Sequence, residues 1–187
     1  MQPRSAPQID HGLQLAAAVR AVRARYDKLD RGQVAQLRRC RAATELELER
    51  AYWTVAGDIA KSQPKIARHV AHVVLLFPYA AQTQGGGKSF SMGRFLRTQL
   101  GDGDGANLRF RRVLSCESRD ELDHRLRALL RLTAAGGGRV DWGILGRDIL
   151  WFFAESDGAR RRWAQDFYAP SKRVADPDTS ADNVSLD

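Results

Sequence analysis

Apolar residues recur along most of the chain at intervals of three and four residues, which places them on one side of an α-helix. In residues 118–133, for example, Leu122, Leu126, Leu129 and Leu130 follow one another at i, i+4, i+7 and i+8. The alternation of apolar and polar residues that predicts β-strands is not sustained anywhere. The same spacing predicts helices over residues 10–26, 33–41, 47–59, 64–77, 89–100, 107–114, 141–153 and 158–168. The pattern therefore indicates an all-α protein.

Residues at the predicted helix starts support these boundaries. Ser118 is followed three residues later by Glu121, which is the spacing of a capping box. Pro64 stands in a first helical turn, where proline is tolerated, and Asp141 is placed to cap the helix that follows it. Since residues 141–153 are apolar nearly all round, we expect that helix to be the central member of a C-terminal bundle.

Glycines divide the predicted helices into two groups. Residues 101–105, Gly-Asp-Gly-Asp-Gly, read as a short flexible linker between two helical subdomains. Residues 1–100 would form the N-terminal helical subdomain and residues 106–169 a C-terminal helical bundle. Residues 170–187 are polar and acidic, and the sequence predicts a disordered tail there.

The charge favours a polyanionic partner. The chain carries 30 Lys and Arg against 22 Asp and Glu, a net charge of +8, and its pI is about 10.1. Nucleic acid is the first candidate and an anionic membrane surface the second. Only five of the basic residues are lysines, and arginine forks match phosphate geometry. The longest apolar stretch, residues 70–81, is interrupted by His72 and Pro78, so no membrane span is predicted. Cys40 and Cys116 are expected to be reduced core residues of a cytoplasmic protein.

Many arginines in the predicted helices have no Asp or Glu three or four residues away. Arg41, Arg125 and Arg127 have a Glu or Asp four residues away, which predicts local ion pairs. Eight others have no acid three or four residues away and recur in four separate predicted helices, where they are candidates for phosphate contacts. With Lys88, from a glycine-rich loop, the predicted nucleic-acid-binding residues are Arg38, Arg39, Lys88, Arg94, Arg97, Arg109, Arg111, Arg112 and Arg131.

No motif points to catalysis or to a cofactor. Residues 85–89, Gly-Gly-Gly-Lys-Ser, resemble the end of a phosphate-binding loop but lack its first glycine and a preceding strand. Residues 101–105 lack the ligand spacing of a calcium loop. His69 and His72 have no third ligand at metal spacing, and neither cysteine lies in an activated setting. The spacing of the tryptophans, and of Phe152 with Phe153, favours core positions over base-stacking ones. We therefore expect a protein that is not an enzyme and holds no metal or cofactor.

A series of landmarks between residues 29 and 168 matches a known family. In chain order they are Asp30-x-Gly32 with Gln36-Leu37-Arg38-Arg39, Ser89-x-Ser91-Met92-Gly93-Arg94-x-Leu96, the arginine-rich residues 107–114, residues 126–132, Val140-Asp141-Trp142, and Trp163-x-x-Asp166-Phe167-Tyr168. In order and spacing the chain resembles the small subunit, the CasB family, of the type I-E CRISPR surveillance complex Cascade. Residues 1–28, the linker and the tail carry no landmark.

The resemblance implies a non-catalytic all-α subunit that acts in antiviral interference. Members occur in two copies, pack against the backbone and large subunits, and offer a basic surface to the crRNA–target DNA heteroduplex and the displaced strand. The resemblance carries over Arg38, Arg39, Arg94 and the arginines of 109–112. Lys88, Arg97 and Arg131 are added from the charge pattern alone.

Two other readings stay open at this point. The chain could be a stand-alone helical DNA-binding regulator, with residues 33–41 as a recognition helix that presents Gln33, Gln36, Arg38 and Arg39 to bases. It could also be a structural scaffold whose arginines contact only other subunits. A regulator should bind one duplex sequence on its own as a dimer, whereas a Cascade subunit should bind weakly and without sequence preference until assembled.

Overall fold

The part of the chain that the structure describes is mostly helical and contains no β-strand. The computed structural model describes residues 6–80, 91–136, 140–154 and 158–169, and the side chains from residue 11 onward. These residues form ten α-helices: α1 Ala6–Tyr26, α2 Arg31–Arg39, α3 Ala43–Leu46, α4 Arg50–Ser62, α5 Pro64–Val74, α6 Met92–Leu100, α7 Asp104–Leu114, α8 Arg119–Thr133, α9 Trp142–Leu150 and α10 Gly158–Tyr168. Short 3-10 turns cover Phe77–Tyr79 and Ala134–Gly136. The predicted all-α class is confirmed.

Side-chain caps fix several helix starts. Asp30 and Gln33 form a reciprocal capping box at α2. Ser118 Oγ accepts from the backbone N–H of Glu121, as predicted, but the Glu121 carboxylate accepts from the N–H of Glu117 rather than from that of Ser118. Asp141 accepts from Ile144 N at 2.9 Å and so caps α9 as predicted.

One apolar core runs through the described helices. α5 packs against α1, α3, α4 and α9, and its inward face is Ile66, Val70, Val73 and Val74. α9 packs against α1 and α5, which belong to the predicted N-terminal subdomain, instead of forming the centre of a separate C-terminal bundle. The buried residues of both predicted subdomains belong to the same cluster. The division of the chain at residues 101–105 is therefore not confirmed.

Glycines permit the closest of these contacts. A Cβ on Gly146 of α9 would lie 2.9 Å from Val19 Cγ2 of α1, and a Cβ on Gly93 of α6 would lie 2.0 Å from the Trp163 carbonyl oxygen of α10. In the linker, Gly101 has φ 75° and ends α6, a conformation that favours glycine. α7 begins at Asp104, so the last two residues of the predicted linker are helical.

Two of the sequence landmarks meet where α6 packs on α10. Ser91 Oγ donates to Asp166 Oδ2 at 2.5 Å while it accepts from the Arg94 N–H, which joins the start of α6 to α10. The fully buried Asp148 of α9 accepts from the Trp163 indole N–H at 2.7 Å and from Arg162 at 2.5 Å. The Ser91–Asp166 bond fixes α10 to α6, and the bonds of Asp148 fix it to α9.

Candidate nucleic-acid interface

A basic groove lies between the end of α2, the 3-10 turn Phe77–Tyr79 and α8. It consists of two adjoining cavities of about 420 and 400 Å³ that share Tyr79 and Arg131. The first is lined by Arg41, Tyr79, His124, Arg127, Ala128 and Arg131, and the second by Arg38, Pro78, Tyr79, Arg131 and Ala134. Four arginines therefore face a single groove, and none of its lining residues is acidic.

Two hydrogen bonds tie the end of α2 to the 3-10 turn. Arg38 Nη2 donates to the Pro78 carbonyl at 3.0 Å, and the Tyr79 hydroxyl donates to the Arg38 carbonyl at 2.9 Å. On the other side of the turn, the Arg131 guanidinium of α8 lies 6.0 Å from the centroid of the Tyr79 ring, within cation–π range. The wall between the two cavities is thus positioned by residues from three separate segments.

Arg127 crosses the groove and satisfies the carbonyls at the end of α2. Its guanidinium donates to the carbonyls of Cys40 and Arg41, at 3.3 and 2.9 Å, and its Nε to the backbone carbonyl of Asp123. The predicted ion pair with the Asp123 carboxylate is wrong, because that carboxylate bonds to His72 of α5 instead. Arg127 therefore forms no ion pair with an acid in the described part of the chain.

The remaining groove arginines are likewise not neutralised by described carboxylates. Arg38, Arg41 and Arg131 are exposed and form no ion pair within the described ranges. Glu45, the predicted partner of Arg41, accepts from the backbone N–H of Arg41 at 2.6 Å and not from its side chain. Positive charge that is not tied up in ion pairs attracts a polyanion, and this attraction is screened by salt.

Only some of the predicted residues meet at this groove. Arg38 and Arg131 line it. Arg97 lines neither cavity, because it pairs with Asp102 at 3.0 Å and donates to the Phe167 carbonyl, and its contact with nucleic acid stays a prediction. Asp102 lies five residues after Arg97 and past the end of α6, so the helical spacing of three or four residues does not reveal this partner. Lys88 lies outside the described residues. The others are exposed on α2, α6 and α7 and line neither cavity: Arg39, Arg94, Arg109, Arg111 and Arg112.

Sequence reasoning missed half of the groove. Local spacing predicts acid partners for Arg41 and Arg127, and it does not single out His124 or Tyr79. The sequence signals for the site are Arg38 and Arg131, which have no acid three or four residues away. The approach of α8 to α2 joins residues more than eighty positions apart, so local spacing does not reveal it. A count of local acids cannot show which arginines will face backbone carbonyls.

Of the four side chains that the predicted recognition helix would present to bases, Gln33, Gln36 and Arg38 are engaged or partly enclosed and Arg39 is exposed. Gln33 is used in the capping box at the start of α2, and Arg38 is bound to Pro78. Leu37 is fully buried, and the Gln36 side-chain oxygen is enclosed as well. These engagements weigh against a stand-alone helix-turn-helix regulator.

A buried pair fastens α8 to α5 beneath the groove. His72 Nδ1 and Asp123 Oδ2 lie 2.5 Å apart, and burial raises the pKa of the Asp123 carboxyl while His72 acts to lower it. Asp120 brings a third possible ligand atom within 4.8 Å, a partner from another helix that local spacing did not reveal. In the structure His72 and Asp123 form a hydrogen-bonded pair that joins α5 to α8.

The two thiols are buried and free. Cys40 ends α2 and Cys116 follows α7, and neither forms a disulfide. Burial raises the pKa of Cys116 to about 11, which keeps this sulfur in the unreactive thiol form at neutral pH. Within the described residues, no helix has both the length and the apolar character needed to cross a bilayer.

Comparisons with known proteins agree with the fold and the sequence landmarks. The family model of CRISPR-associated protein Cse2 matches residues 33–168. No curated protein sequence matches the chain. A chain in the crystal structure of E. coli Cascade bound to a PAM-containing dsDNA target is similar with a TM-score of 0.61 and 21% identity, over 79% of this chain and 92% of that one.

Two further solved structures share the fold. CasB from Thermobifida fusca is similar with a TM-score of 0.60 and 19% identity, over 85% of this chain and 98% of that one. M. ruber CasB is similar with a TM-score of 0.55 and 21% identity, over 81% and 90% of the two chains. With a family model that covers more than half of its length, the chain belongs to the CRISPR-associated Cse2 family.

Proposed function

We propose that this chain is the non-catalytic small subunit of a type I-E CRISPR Cascade complex. In this role its basic surface binds the sugar–phosphate backbone of the crRNA–target DNA heteroduplex and of the displaced strand. Its partners are the backbone and large subunits and a second copy of itself, and the complex acts in the cytoplasm without a cofactor. Family membership and the similarity to a chain of DNA-bound Cascade support the assembly. The groove supports the nucleic-acid contact.

The observation that carries the proposal is the convergence of Arg38, Arg41, Arg127 and Arg131 on a groove without an acid. Formation of an R-loop is close to energetic balance, since the heteroduplex gained is about as stable as the duplex lost. A few phosphate contacts can therefore tip it. Such contacts position a strand without reading its sequence, which suits a complex in which base pairing with the guide does the reading.

Membership of the complex is tested by co-purification. The tagged full-length chain is expressed with the other CRISPR-associated subunits of its host, and the proposal expects these subunits and a short crRNA to elute with it. A chain that elutes without them would contradict the proposed assembly.

Groove contacts are tested in that complex by Arg41→Ala combined with Arg131→Ala. Each phosphate contact releases counterions, so log K falls with log salt by about 0.9 per contact on duplex and about 0.7 on a single strand. Removal of two contacts should weaken binding of target DNA and make that slope shallower by about 1.4 to 1.8. The measurement is a series of binding isotherms at several salt concentrations.

The matched control is Arg68→Ala combined with Arg161→Ala, which removes the same charge from two exposed arginines, on α5 and α10, that do not line the groove. A groove variant that behaves like this control would exclude the groove from the interface. Arg109→Ala with Arg112→Ala in the same assay decides whether α7 belongs to the binding surface. An unchanged slope would remove those two arginines from it.

A further inference from the structure

The two cavities of the groove share Tyr79 and Arg131 and differ in their other lining residues. The larger one is cationic, because Arg41, Arg127 and Arg131 supply half of its six lining residues. The smaller one brings the apolar surfaces of Pro78, Tyr79 and Ala134 together with Arg38 and Arg131. The aromatic ring of Tyr79 stands between them. A ligand that spans both cavities would meet arginines in each of them, and in the smaller one also the surfaces of Pro78, Tyr79 and Ala134.

Tyr79 is held as a fixed platform. Its hydroxyl is satisfied by the Arg38 carbonyl, and the buried Phe77 and Pro78 anchor the turn that carries it. Its ring is only partly buried and has the Arg131 guanidinium at 6.0 Å. A rigid ring loses little conformational entropy when a second flat group stacks on it.

We propose that the groove contains a nucleotide subsite, in which one unstacked base packs on Tyr79 beside Pro78 and Ala134 and its phosphate is held by the arginines of the cationic cavity. A cavity of 400 Å³ lies within the range, about 300–1,000 Å³, that holds small ligands. A ring next to a guanidinium and a basic channel is the combination that binds single strands without sequence preference.

The subsite deepens the function proposed above, on which it rests, by naming single-stranded nucleic acid as the partner of this groove. A duplex keeps the faces of its bases stacked inside and offers a protein surface its phosphates, its sugars and the edges of its bases. A single strand offers both its phosphates and the faces of its bases. Arg127 and Arg41 would act on either substrate, whereas Tyr79 can act only on the single strand.

The test measures binding of the isolated full-length chain to three labelled probes of about 12 nucleotides, a length within the span of known single-strand sites. The probes are a thymidine strand, the same strand with every base removed, and a duplex. Tyr79→Leu should weaken binding of the thymidine strand about ten-fold, since stacking contributes about 1–3 kcal/mol per base. Binding of the abasic strand and of the duplex should not change.

Tyr79→Phe separates stacking from the hydrogen bond to Arg38. It keeps the ring and loses the hydroxyl, so its affinity for the thymidine strand should equal that of the unmodified chain. Trp53→Leu is the control, because Trp53 is an exposed aromatic residue of α4 that does not line the groove. It should bind all three probes normally.

Several results would overturn the subsite. One is a normal affinity of Tyr79→Leu for the thymidine strand, and another is an equal loss of affinity for the thymidine and abasic strands. A third is a Tyr79→Phe variant that binds as weakly as Tyr79→Leu, and a fourth is that the chain binds none of the probes at low salt. Displacement of the strand by thymidine monophosphate at an equal nucleotide concentration would make the site a receptor for a free nucleotide and would also overturn it. Co-purification with the other subunits does not depend on Tyr79, so failure of the subsite and failure of the proposed assembly give different results.

Discussion

A single hydrogen atom decides how closely α6 can approach α10. Gly93 has only hydrogen where any other residue would place its Cβ 2.0 Å from the Trp163 carbonyl oxygen. The opposing atom is backbone, so it cannot rotate away as a side chain could. The contact also aligns Ser91 with Asp166, whose hydrogen bond joins the same two helices.

Gly93→Ala should therefore destabilise the protein even though alanine is the better helix former. Alanine gains up to about 1 kcal/mol in helix propensity, but the added methyl must separate α6 from α10, and overpacking of this kind costs about 1–3 kcal/mol or more. We expect a lower melting temperature by circular dichroism. The control is Gly57→Ala on α4, where the new Cβ would meet only Trp53 Cε3 at 3.8 Å. Equal melting temperatures for both variants would contradict the close packing.

His69 should make the stability depend on pH. Burial lowers its pKa from 6.5 to about 4, with Arg119, His72, His11 and Arg68 acting in the same direction. Since the folded protein binds this proton less readily than the unfolded chain, the contribution of His69 to stability is present above pH 6.5 and is lost as the pH falls toward 4. The wild-type melting temperature should therefore fall across this window.

The measurement is the difference in melting temperature between the wild-type chain and His69→Gln as a function of pH. Near pH 8 the neutral histidine and the amide should be similar, so the difference there is the internal control. Toward pH 5 the variant should become the more stable of the two. A difference that stays constant with pH would show that His69 is not buried in its neutral form.

The pairing of individual arginines was the part of the site that the sequence could not predict. Arg125 does pair with Glu121 as the helical spacing indicates, at 3.6 Å. Arg127, two residues later, has the same kind of spacing to Asp123 but reaches the carbonyls of Cys40 and Arg41. The difference is tertiary, because His72 takes the Asp123 carboxylate and α2 ends within reach of Arg127. Local spacing describes an isolated helix and not the neighbour that packs on it.

At the level of helices, periodicity and capping predicted most of what is observed. α10 has the predicted bounds, and α4, α5, α8 and α9 differ by a few residues at their ends. The short α3 was missed, because four residues contain too little periodicity to be recognised. The predicted start of α5 at Pro64 is confirmed. Proline suits a first helical turn, because the backbone N–H that it lacks would have no partner within the helix there.

The packing of helices against one another was harder to predict from the sequence. An apolar helix such as α9 must be buried, and this much follows from its composition. The helices that it packs against cannot be derived from its composition, because nothing in the sequence around Gly143 and Gly146 indicates that α1 is the partner. The groove could not be predicted for the same reason, since it forms only where α8 passes the end of α2 and the 3-10 turn Phe77–Tyr79. Sequence reasoning therefore predicted a basic binding protein of the right family and identified only part of its groove.

For the whole molecule, the continuity of the core decides how the chain unfolds. α9 closes against α1 and α5, and α10 closes against α6, so helices from both sides of residues 101–105 share one buried cluster. Removal of either half would expose the apolar face that the other half covers. This arrangement favours one cooperative transition over the independent melting of two subdomains.

We expect calorimetry of the full chain to give a calorimetric enthalpy equal to the van't Hoff enthalpy, with far- and near-ultraviolet circular dichroism melting together. Gly146→Leu should lower the temperature of that single transition for every probe, because even its Cβ would lie 2.9 Å from Val19 Cγ2 and force α9 away from α1. Two separate transitions, or a variant in which only part of the helical signal melts early, would instead support two subdomains joined at residues 101–105. The substitution is decisive because it acts on a contact between the two predicted halves and leaves the linker itself unchanged.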